Sequence, residues 1–401
     1  MAAYSTTSTY IGHDLVDDIL LSLPVKSIIR FKSVSKQWKS LIESHSFVQR
    51  QLKNPRRKIL LAFGCRDDGD GDDSPPFLFS EEKEEEICYI GNCDASRISL
   101  TCDGLICIPG SDSIEVCNPA TRESRQFPAG EPLVSVSSMI IPHAGTGRIP
   151  VRSLPHRRKY IDHELVPRFP TTTSSFGFGK DEVTGAYKVV ELRSHPNRSL
   201  IVADCNVLDL QTGRWRHVNL VPYRIFVTER SVYVNGSVHW FTVDLWEPGN
   251  ASRIVAFNLQ LEEFRVVSHP NPNFSSDDNG HTPHFSELLV LRERLSVSEM
   301  RTTNVPHARL DIWSMVDVQE ERWVKMHSLC LCDLYQPRPS EIQLFTPLAI
   351  PDDQGDGGVL IIWDYRESLF MSYPNNFLLN KVSAYARVVA SSYFQTLVTV
   401  H

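Results

Sequence analysis

Residues 14–42 read DLVDDILLSLPVKSIIRFKSVSKQWKSLI, and the spacing of their apolar side chains predicts short helices with one sharp break. Leu15, Ile19 and Leu23 recur at steps of four, with Val16 and Leu20 beside them, so the first helix has one broad apolar face. Asp14 is placed to cap its first turn, and Asp17 and Asp18 suit its positive dipole end. Pro24 lacks an amide proton and restricts Leu23, which ends that helix. A second helix carries Val25, Ile28, Ile29 and Val34. Ser35 is placed to cap a third, on which Trp38, Leu41, Ile42 and His45 fall at i, i+3, i+4 and i+7. Three short helices in about forty residues bury too little surface to stand alone. Such a unit packs on the rest of its chain or buries its surplus apolar face in another protein. A plain helical cap on a larger domain is the alternative.

Leu23-Pro-Val-Lys-Ser27, Arg30-Phe31, Val34-Ser-Lys36, Trp38 and Leu41-Ile42 together form a spacing that resembles an F-box of the large plant type. The resemblance implies docking on a Skp-type adaptor, which links the box to a cullin scaffold. Carried over position by position, it assigns Leu15, Ile19, Leu20, Leu23, Pro24, Val25, Val34, Trp38, Leu41 and Ile42 to the box core and its adaptor face. It does not separate the residues that touch the adaptor from those that pack. One departure stands out: the family opens with Leu-Pro ahead of the first helix, where this chain has Ile11-Gly12. Gly12 removes a rigid start and weakens the case for tight docking. The expected boundaries are a disordered N-terminus over 1–10 and the F-box over 11–52.

Beyond the box the composition shifts abruptly. Residues 64–86, GCRDDGDGDDSPPFLFSEEKEEE, are dominated by acidic residues, Gly and Pro. Like charges at this density repel and stay solvated, so a mobile loop is expected. Asp68, Asp70 and Asp72 invite a calcium-loop reading, but that motif needs Gly at position six and Glu at twelve, where this chain has Asp73 and Phe79. With strands expected over 58–63 and 87–90, the acidic tract reads as an insertion in a hairpin.

From residue 58 to 401 the pattern is of short β-rich runs. One unit recurs: an apolar strand, an Asp or Asn, a polar turn, then a strand bearing an aromatic. Asn118 is followed by Phe127, Asp181 by Tyr187, Asp209 by Trp215, Asn258 by Phe264, Asp317 by Trp323 and Asp364 by Phe370. The Asx side chain closes the turn on the backbone, and the aromatic covers the hairpin. A lone hairpin is unstable, so repeated ones must stack into a common core. With Asp209 sharing a blade with Asp181, the units lie roughly 45 to 80 residues apart, loosely compatible with propeller blades. The expected fold is thus a small all-α F-box followed by a large all-β domain, an irregular β-propeller of several four-stranded blades, six by length. The ragged spacing leaves a sandwich of two irregular sheets open. Leu100-Thr-Cys-Asp-Gly-Leu-Ile-Cys107, Asn118-Pro-Ala-Thr-Arg122, Phe176-Gly-Phe-Gly179, Tyr187-Lys-Val-Val190, Val234-Asn-Gly-Ser-Val-His-Trp240 and Asp311-Ile-Trp313 resemble, in order, the landmarks of the F-box-associated domain. That domain is kelch-like in outline, but the paired glycines of true kelch repeats are missing here.

Several residue groups invite a chemical reading, and a blander one stands beside each. Cys88, Cys93, Cys102 and Cys107 make two C-x4-C pairs that could offer four thiolates to zinc, but small buried thiols are ordinary core residues. Cys330 and Cys332 share one face of a strand and read as packing. His156-Arg-Arg-Lys159 lies within a basic, Pro-rich loop over 142–173, read as a solvated insertion rather than an import signal. His239 beside Trp240 reads as a strand residue, not a base. No phosphate-cradling loop, nucleophile elbow or His-Glu-x-x-His helix is present, so neither a catalytic residue, a metal nor a cofactor is expected.

The 401 residues carry a formal net charge of −7, which argues against general binding to nucleic acid. No apolar run is long enough to cross a bilayer, and the first fifteen residues do not read as a secretory signal. Nine cysteines without an export signal suit a reducing compartment, cytoplasm or nucleus. The function expected is therefore that of a non-catalytic subunit: the F-box grips the adaptor, and the β domain selects a target protein for ubiquitination. An adaptor-independent binding regulator and a propeller enzyme with a central metal or sugar site are the rivals. The identity of the target is not encoded in any motif.

Overall fold

The computed structural model describes residues 13–53, 57–63, 87–90, 100–110, 112–130, 174–194, 202–225, 230–242, 253–271, 284–302, 308–331, 345–349, 360–364, 368–373, 378–384 and 388–400. The N-terminal ten residues, Gly12, the acidic tract after Phe63 and the basic loop over 142–173 lie outside them.

The helical unit has four helices where the sequence suggested three: α1 (His13–Ser22), α2 (Val25–Phe31), α3 (Lys36–Ile42) and α4 (His45–Leu52). α1 starts one residue ahead of the cap expected at Asp14. Pro24 ends it as anticipated and supplies the extended residue from which α2 begins. Val34 falls past the end of α2 rather than on it. Ser35 caps α3 by accepting the Trp38 amide at 3.1 Å. The expected run to His45 is broken because Ser44 adopts an extended conformation and accepts the Phe47 amide at 3.3 Å, starting a new helix. Arg50 of α4 reaches back to Asp17 at 3.1 Å and Asp18 at 2.8 Å on α1. Leu20, Val25, Ile28, Ile42 and Phe47 form the small core, with Trp38 packed edge-on against Phe31.

Among the described residues the strands form six sheets, five of them four-stranded antiparallel blades. Blade II holds β3 (Leu100–Cys102), β4 (Leu105–Pro109), β5 (Ser113–Asn118) and β6 (Glu123–Pro128). Blade III holds β7 (Ser174–Lys180), β8 (Tyr187–Ser194), β9 (Val202–Asp209) and β10 (Arg214–Leu220). Blade IV holds β11 (Val232–Val234), β12 (Ser237–Phe241), β13 (Ile254–Asn258) and β14 (Phe264–Val267). Blade V holds β15 (His284–Leu291), β16 (Arg294–Thr302), β17 (Ala308–Asp317) and β18 (Arg322–Cys330). Blade VI holds β19 (Phe345–Ala349), β20 (Leu360–Asp364), β21 (Ser368–Tyr373) and β22 (Leu378–Ala384). Blade I joins the two ends of the domain: β23 (Val388–Phe394) pairs antiparallel with β1 (Arg57–Phe63), and β2 (Ile87–Ile90) lies outside β1.

One edge strand of each blade, the first in blades II to VI and β23 in blade I, touches the next in a closed series, β3 to β7, β11, β15, β19, β23 and back to β3. A sandwich does not close on itself, so the domain is a six-bladed propeller. β1 and β2 pair in parallel, Ile59 opposite Ile87 and Ala62 opposite Ile90. Two strands joined by a hairpin must run antiparallel, so the hairpin reading of the acidic tract is wrong.

The recurring Asx unit is visible atom by atom. Asn118, Asp181, Asn258 and Asp317 each use Oδ1 to accept amides two and three residues on, and Asp209 accepts the Thr212 amide at 2.9 Å. The turn after Asp364 lies outside the described residues. The glycines of Phe176-Gly-Phe-Gly179 answer to blade IV. A Cβ on Gly177 would stand 2.5 Å from Val238 and 3.0 Å from Trp240, and one on Gly179 would overlap the Tyr233 ring. Trp240 Nε1 donates to Ser175 Oγ at 3.1 Å, and Tyr233 Oη donates to the Lys180 carbonyl at 2.9 Å. These landmark residues are thus the joint between blades III and IV.

A buried ion cluster crosses the same joint. Lys188 Nζ donates to Asp181 at 3.1 Å, to Glu262 at 3.3 Å and to the Leu259 carbonyl, while Arg216 holds the other side of Glu262. Burial pushes both carboxyls up, but the Thr184 and Val183 amides and Lys188 outweigh it at Asp181, as Arg216 and Lys188 do at Glu262. Both acids therefore end below their ordinary values.

The chain does not stop at β23. Residues 395–400 cross the face that carries the turns between first and second and between third and fourth strands. Asn118 Nδ2 donates to the carbonyls of Thr396 at 3.1 Å and Val398 at 2.7 Å. Val398 enters the core shared by blades II and III, while Leu397, only 4% exposed, joins Phe47 in the helical core, against which Ala120 packs. Gln51 Nε2 donates to the Gln395 carbonyl at 3.1 Å. The C-terminal segment is a strap that fastens the helices to the propeller.

Three consequences can be measured. Gly177→Ala forces Val238 or the blades apart and lowers stability by about 1–3 kcal/mol, read as a fall in Tm. Asn118→Asp keeps the Oδ1 acceptor but turns a donor toward two carbonyls into a carboxylate. Proteolysis should then cut the C-terminal segment much faster than in the wild type, and equal rates would contradict the strap. The Asp181 and Glu262 contributions are complete above the ordinary values of 3.8 and 4.5 and disappear as pH falls through the lowered native ones. Lys188→Met lowers Tm at pH 7 and flattens the further fall below about pH 4.5, because the partner that depresses both acids is gone.

Candidate functional site

Burial sorts the ten residues assigned from the sequence into three groups. Leu20, Val25 and Ile42 are core and have no free surface to offer. Leu23, Trp38 and Leu41 are half-buried, packed against that core with an edge outward. Leu15, Ile19, Pro24 and Val34 are exposed, with Leu15 and Val34 at 57% and Ile19 at 48%. The helical unit is therefore satisfied on the side held by Leu397 and unsatisfied on α1 and in the turn after α2. Leu15 and Ile19 lie one turn apart, so they share a face of α1. Single exposed apolar residues need no explanation. Leu15, Ile19 and Val34 are three of the ten large apolar side chains exposed among the described residues, the other seven lying on the propeller. What sets Leu15 and Ile19 apart is that they share one face of a short helix.

Charge frames this surface without crossing it. Arg50 with Asp17 and Asp18 ties α1 to α4, and Lys32 meets Glu43 at 3.4 Å between the ends of α2 and α3. Both links are partly solvated and contribute at most about 1 kcal/mol each. They fix the relative setting of the helices more than their stability.

The remaining sequence constellations become structural. Cys102 and Cys107 are free thiols in the core of blades II and III. Burial raises both pKa values well above the ordinary 9.0, and burial pushes Cys205 up to about 12. Cys93 and the side chain of Cys88, the other half of the two C-x4-C pairs, lie outside the described residues. Cys330 is disulfide-bonded, which departs from the packing thiol expected there; its partner is not among the described side chains. His239 sits in β12, is buried, and burial lowers its pKa to about 4, so it stays neutral at pH 7. Glu191, Glu262, Glu299 and Asp311 are each paired with an Arg or Lys. Among the described residues no helix is long and apolar enough to cross a membrane.

Sequence reasoning missed the strap. Asn118 was recognised for its turn, not for the two carbonyls it grips, and Leu397 was not singled out at all. The available signal was Leu397-Val398, an apolar pair next to the C-terminus with nothing local to pack on.

Comparison with known proteins agrees with this division of the chain. Residues 12–50 match the F-box domain, and residues 74–373 match the F-box associated beta propeller domain. An F-box/LRR-repeat protein of Arabidopsis thaliana is 34% identical over 366 residues, covering 90% of this chain and 76% of that one. A putative F-box protein of the same plant is 32% identical over 401 residues, covering 98% and 87%. An F-box/kelch-repeat protein, again from Arabidopsis thaliana, is 39% identical over 232 residues, covering 58% of this chain and 97% of its own. The helical unit with its uncovered apolar face, fastened to a six-bladed propeller and matched in both parts, places this chain among the F-box proteins that carry an F-box-associated β-propeller domain.

Proposed function

We propose that the chain is the target-choosing subunit of a ubiquitin ligase, with its F-box docked on a Skp-type adaptor and its propeller holding a target protein. The observation that supports this reading is the pair Leu15 and Ile19 exposed on one face of α1, with Val34 exposed in the turn after α2, in the part of the chain that matches the F-box domain. Covering such residues with a partner is favourable by about 25 cal/mol for each Å² removed from water. The half-buried Leu23 and Trp38 extend the same surface toward α2 and α3.

The chain itself supplies no chemistry in this mechanism. Among the described residues the buried acids Asp181, Glu191, Glu299 and Asp311 are held in ion pairs, and burial raises the pKa of the Cys102, Cys107 and Cys205 thiols. The adaptor reaches a cullin scaffold, which brings the conjugating enzyme close to lysines of the bound target. Rate then comes from effective concentration. For that to work, the F-box and the target-holding surface must keep a fixed relation, which is what the strap over residues 395–400 supports.

The test is binding of the full-length protein to a purified plant Skp-type adaptor by calorimetry. Ile19→Glu and Val34→Glu each place a charge in the buried interface and should weaken binding about 10–100-fold or more. Neither touches the core, so Tm should stay within about 2 °C of the wild type. Leu20→Ala, by contrast, should cost about 2–5 kcal/mol of F-box stability. A wild type that is folded and does not bind, or an Ile19→Glu, Val34→Glu double variant that binds as well as the wild type, would sink the reading.

A further inference from the structure

Between blades IV and V, on the face that also carries the strap, lies a pocket of about 190 Å³. Its wall is apolar: Val267, Leu295 and Met315 line it and belong to the core that joins the two blades. Its polar lining includes Ser237 and His239 of β12, and its charged lining is Arg265 and Arg294.

Three features separate this pocket from an accident of packing. The first is an unspent polar atom. His239 is 5% exposed, and although the carbonyls of Val232 and Ser237 pull against the effect of burial on its ring, Nδ1 has no hydrogen-bond partner among the described residues. Buried ring nitrogens are ordinarily satisfied. The second is an uneven charge balance. Arg265 is engaged with Glu321 at 2.8 Å, and Glu321 is itself fixed by the Ser268 amide at 2.6 Å. Arg294 is exposed and enters no ion pair among the described residues. One cation is taken and one is available. The third is size. Sites for drug-sized ligands and cofactors run to roughly 300–1,000 Å³. This one has room for a single side chain.

We infer that this pocket receives one apolar side chain of a target protein, with a neighbouring carboxylate of the same segment meeting Arg294. The inference deepens the ligase-subunit reading and rests on it for the ligand being a protein. A buried anchor in a small pocket is the usual way a few residues dominate an interface, and the flanking ion pair sets orientation.

The location adds a constraint. In an antiparallel blade the turns from first to second and from third to fourth strand emerge at one end. The pocket is lined by Asn235 from the first kind of turn and Val318 from the second, and Ala120, which packs on the F-box, belongs to the second kind in blade II. A segment seated here lies on the F-box side of the propeller, two blades away from where the helices are fastened.

The experiment uses full-length protein carrying ¹³C-methyl methionine. The chain has six methionines, and the Met315 signal is assigned by its loss in Met315→Leu. The probe is a capped hexapeptide with Leu-Asp at its centre; Leu-Asn and Gly-Asp versions are the controls. The expected result is a saturable shift of the Met315 methyl, with a Kd on the order of 0.1–1 mM for one anchor and one ion pair. Both controls should bind about 5-fold or more weakly, and Arg294→Glu should do the same to the Leu-Asp peptide. No shift at several millimolar, equal shifts with the controls, or an unchanged affinity in Arg294→Glu would overturn the inference. Adaptor binding is measured on the same sample. Normal adaptor binding with a silent Met315 would remove the pocket and leave the ligase reading standing. A shifting Met315 without adaptor binding would do the reverse.

Discussion

The carboxamide of Asn118 holds more of this molecule together than its size suggests. Its oxygen closes the turn between the last two strands of blade II, and its nitrogen grips two main-chain carbonyls from the last residues of the chain. A carboxamide offers an acceptor oxygen on one side and two N–H donors on the other, which is what this position uses. The grip spans 278 to 280 residues of sequence, and it follows directly on the pairing of β23 with β1 that closes the propeller. Ring closure and F-box attachment are thus one continuous event in the chain. If β23 is not in place, residues 395–400 have no anchor and Leu397 does not reach the helices.

The blades need a different kind of joint. Each buries its faces against its neighbours, so the residues that matter most lie between blades rather than within them. Gly177 and Gly179 leave room for Trp240 and Tyr233 to lie against β7, and Tyr187 and Lys180 of blade III both reach Asp103 of blade II, at 2.9 Å and 3.3 Å. Asp103 and Gly104 have φ of 48° and 75°, and Asn235 and Gly236 have 49° and 73°. Positive φ at both central residues is what a tight hairpin requires, and Asn, Asp and Gly tolerate it best. The buried Lys188 cluster adds a polar lock across blades III and IV. A cluster of this kind adds little net stability, but it penalises any register in which a charge is left unpaired.

Much of this was legible from local pattern. The F-box spacing, the break at Pro24, the cap at Ser35 and the Asx turns after five of the six strands are short-range signals, and the fold uses them. The split between α3 and α4 was missed because Trp38, Leu41, Ile42 and His45 fit one helical face, while Ser44 competes as a cap in the middle of it. The parallel pairing of β1 with β2 and the closure by β23 left no mark on the sequence, since strands that pair across tens or hundreds of residues share no motif. Sorting the ten F-box residues also needed coordinates. A helical face shows which residues are apolar, not which of them the rest of the chain has already covered. The pocket between blades IV and V was hidden for the same reason, because Arg294 and His239 meet only through the packing of two blades.

The functional picture rests on one surface being covered within the chain and another left for a partner. Amide hydrogen exchange on the full-length protein, alone and with a plant Skp-type adaptor, tests this in a single measurement. The account predicts that the amides of residues 396–398 are protected in both states, and that adaptor-induced protection is confined to α1 and the segment from Pro24 to Trp38. Exchange of residues 396–398 at the rate of an unstructured chain, or adaptor protection spread over the propeller blades, would contradict it.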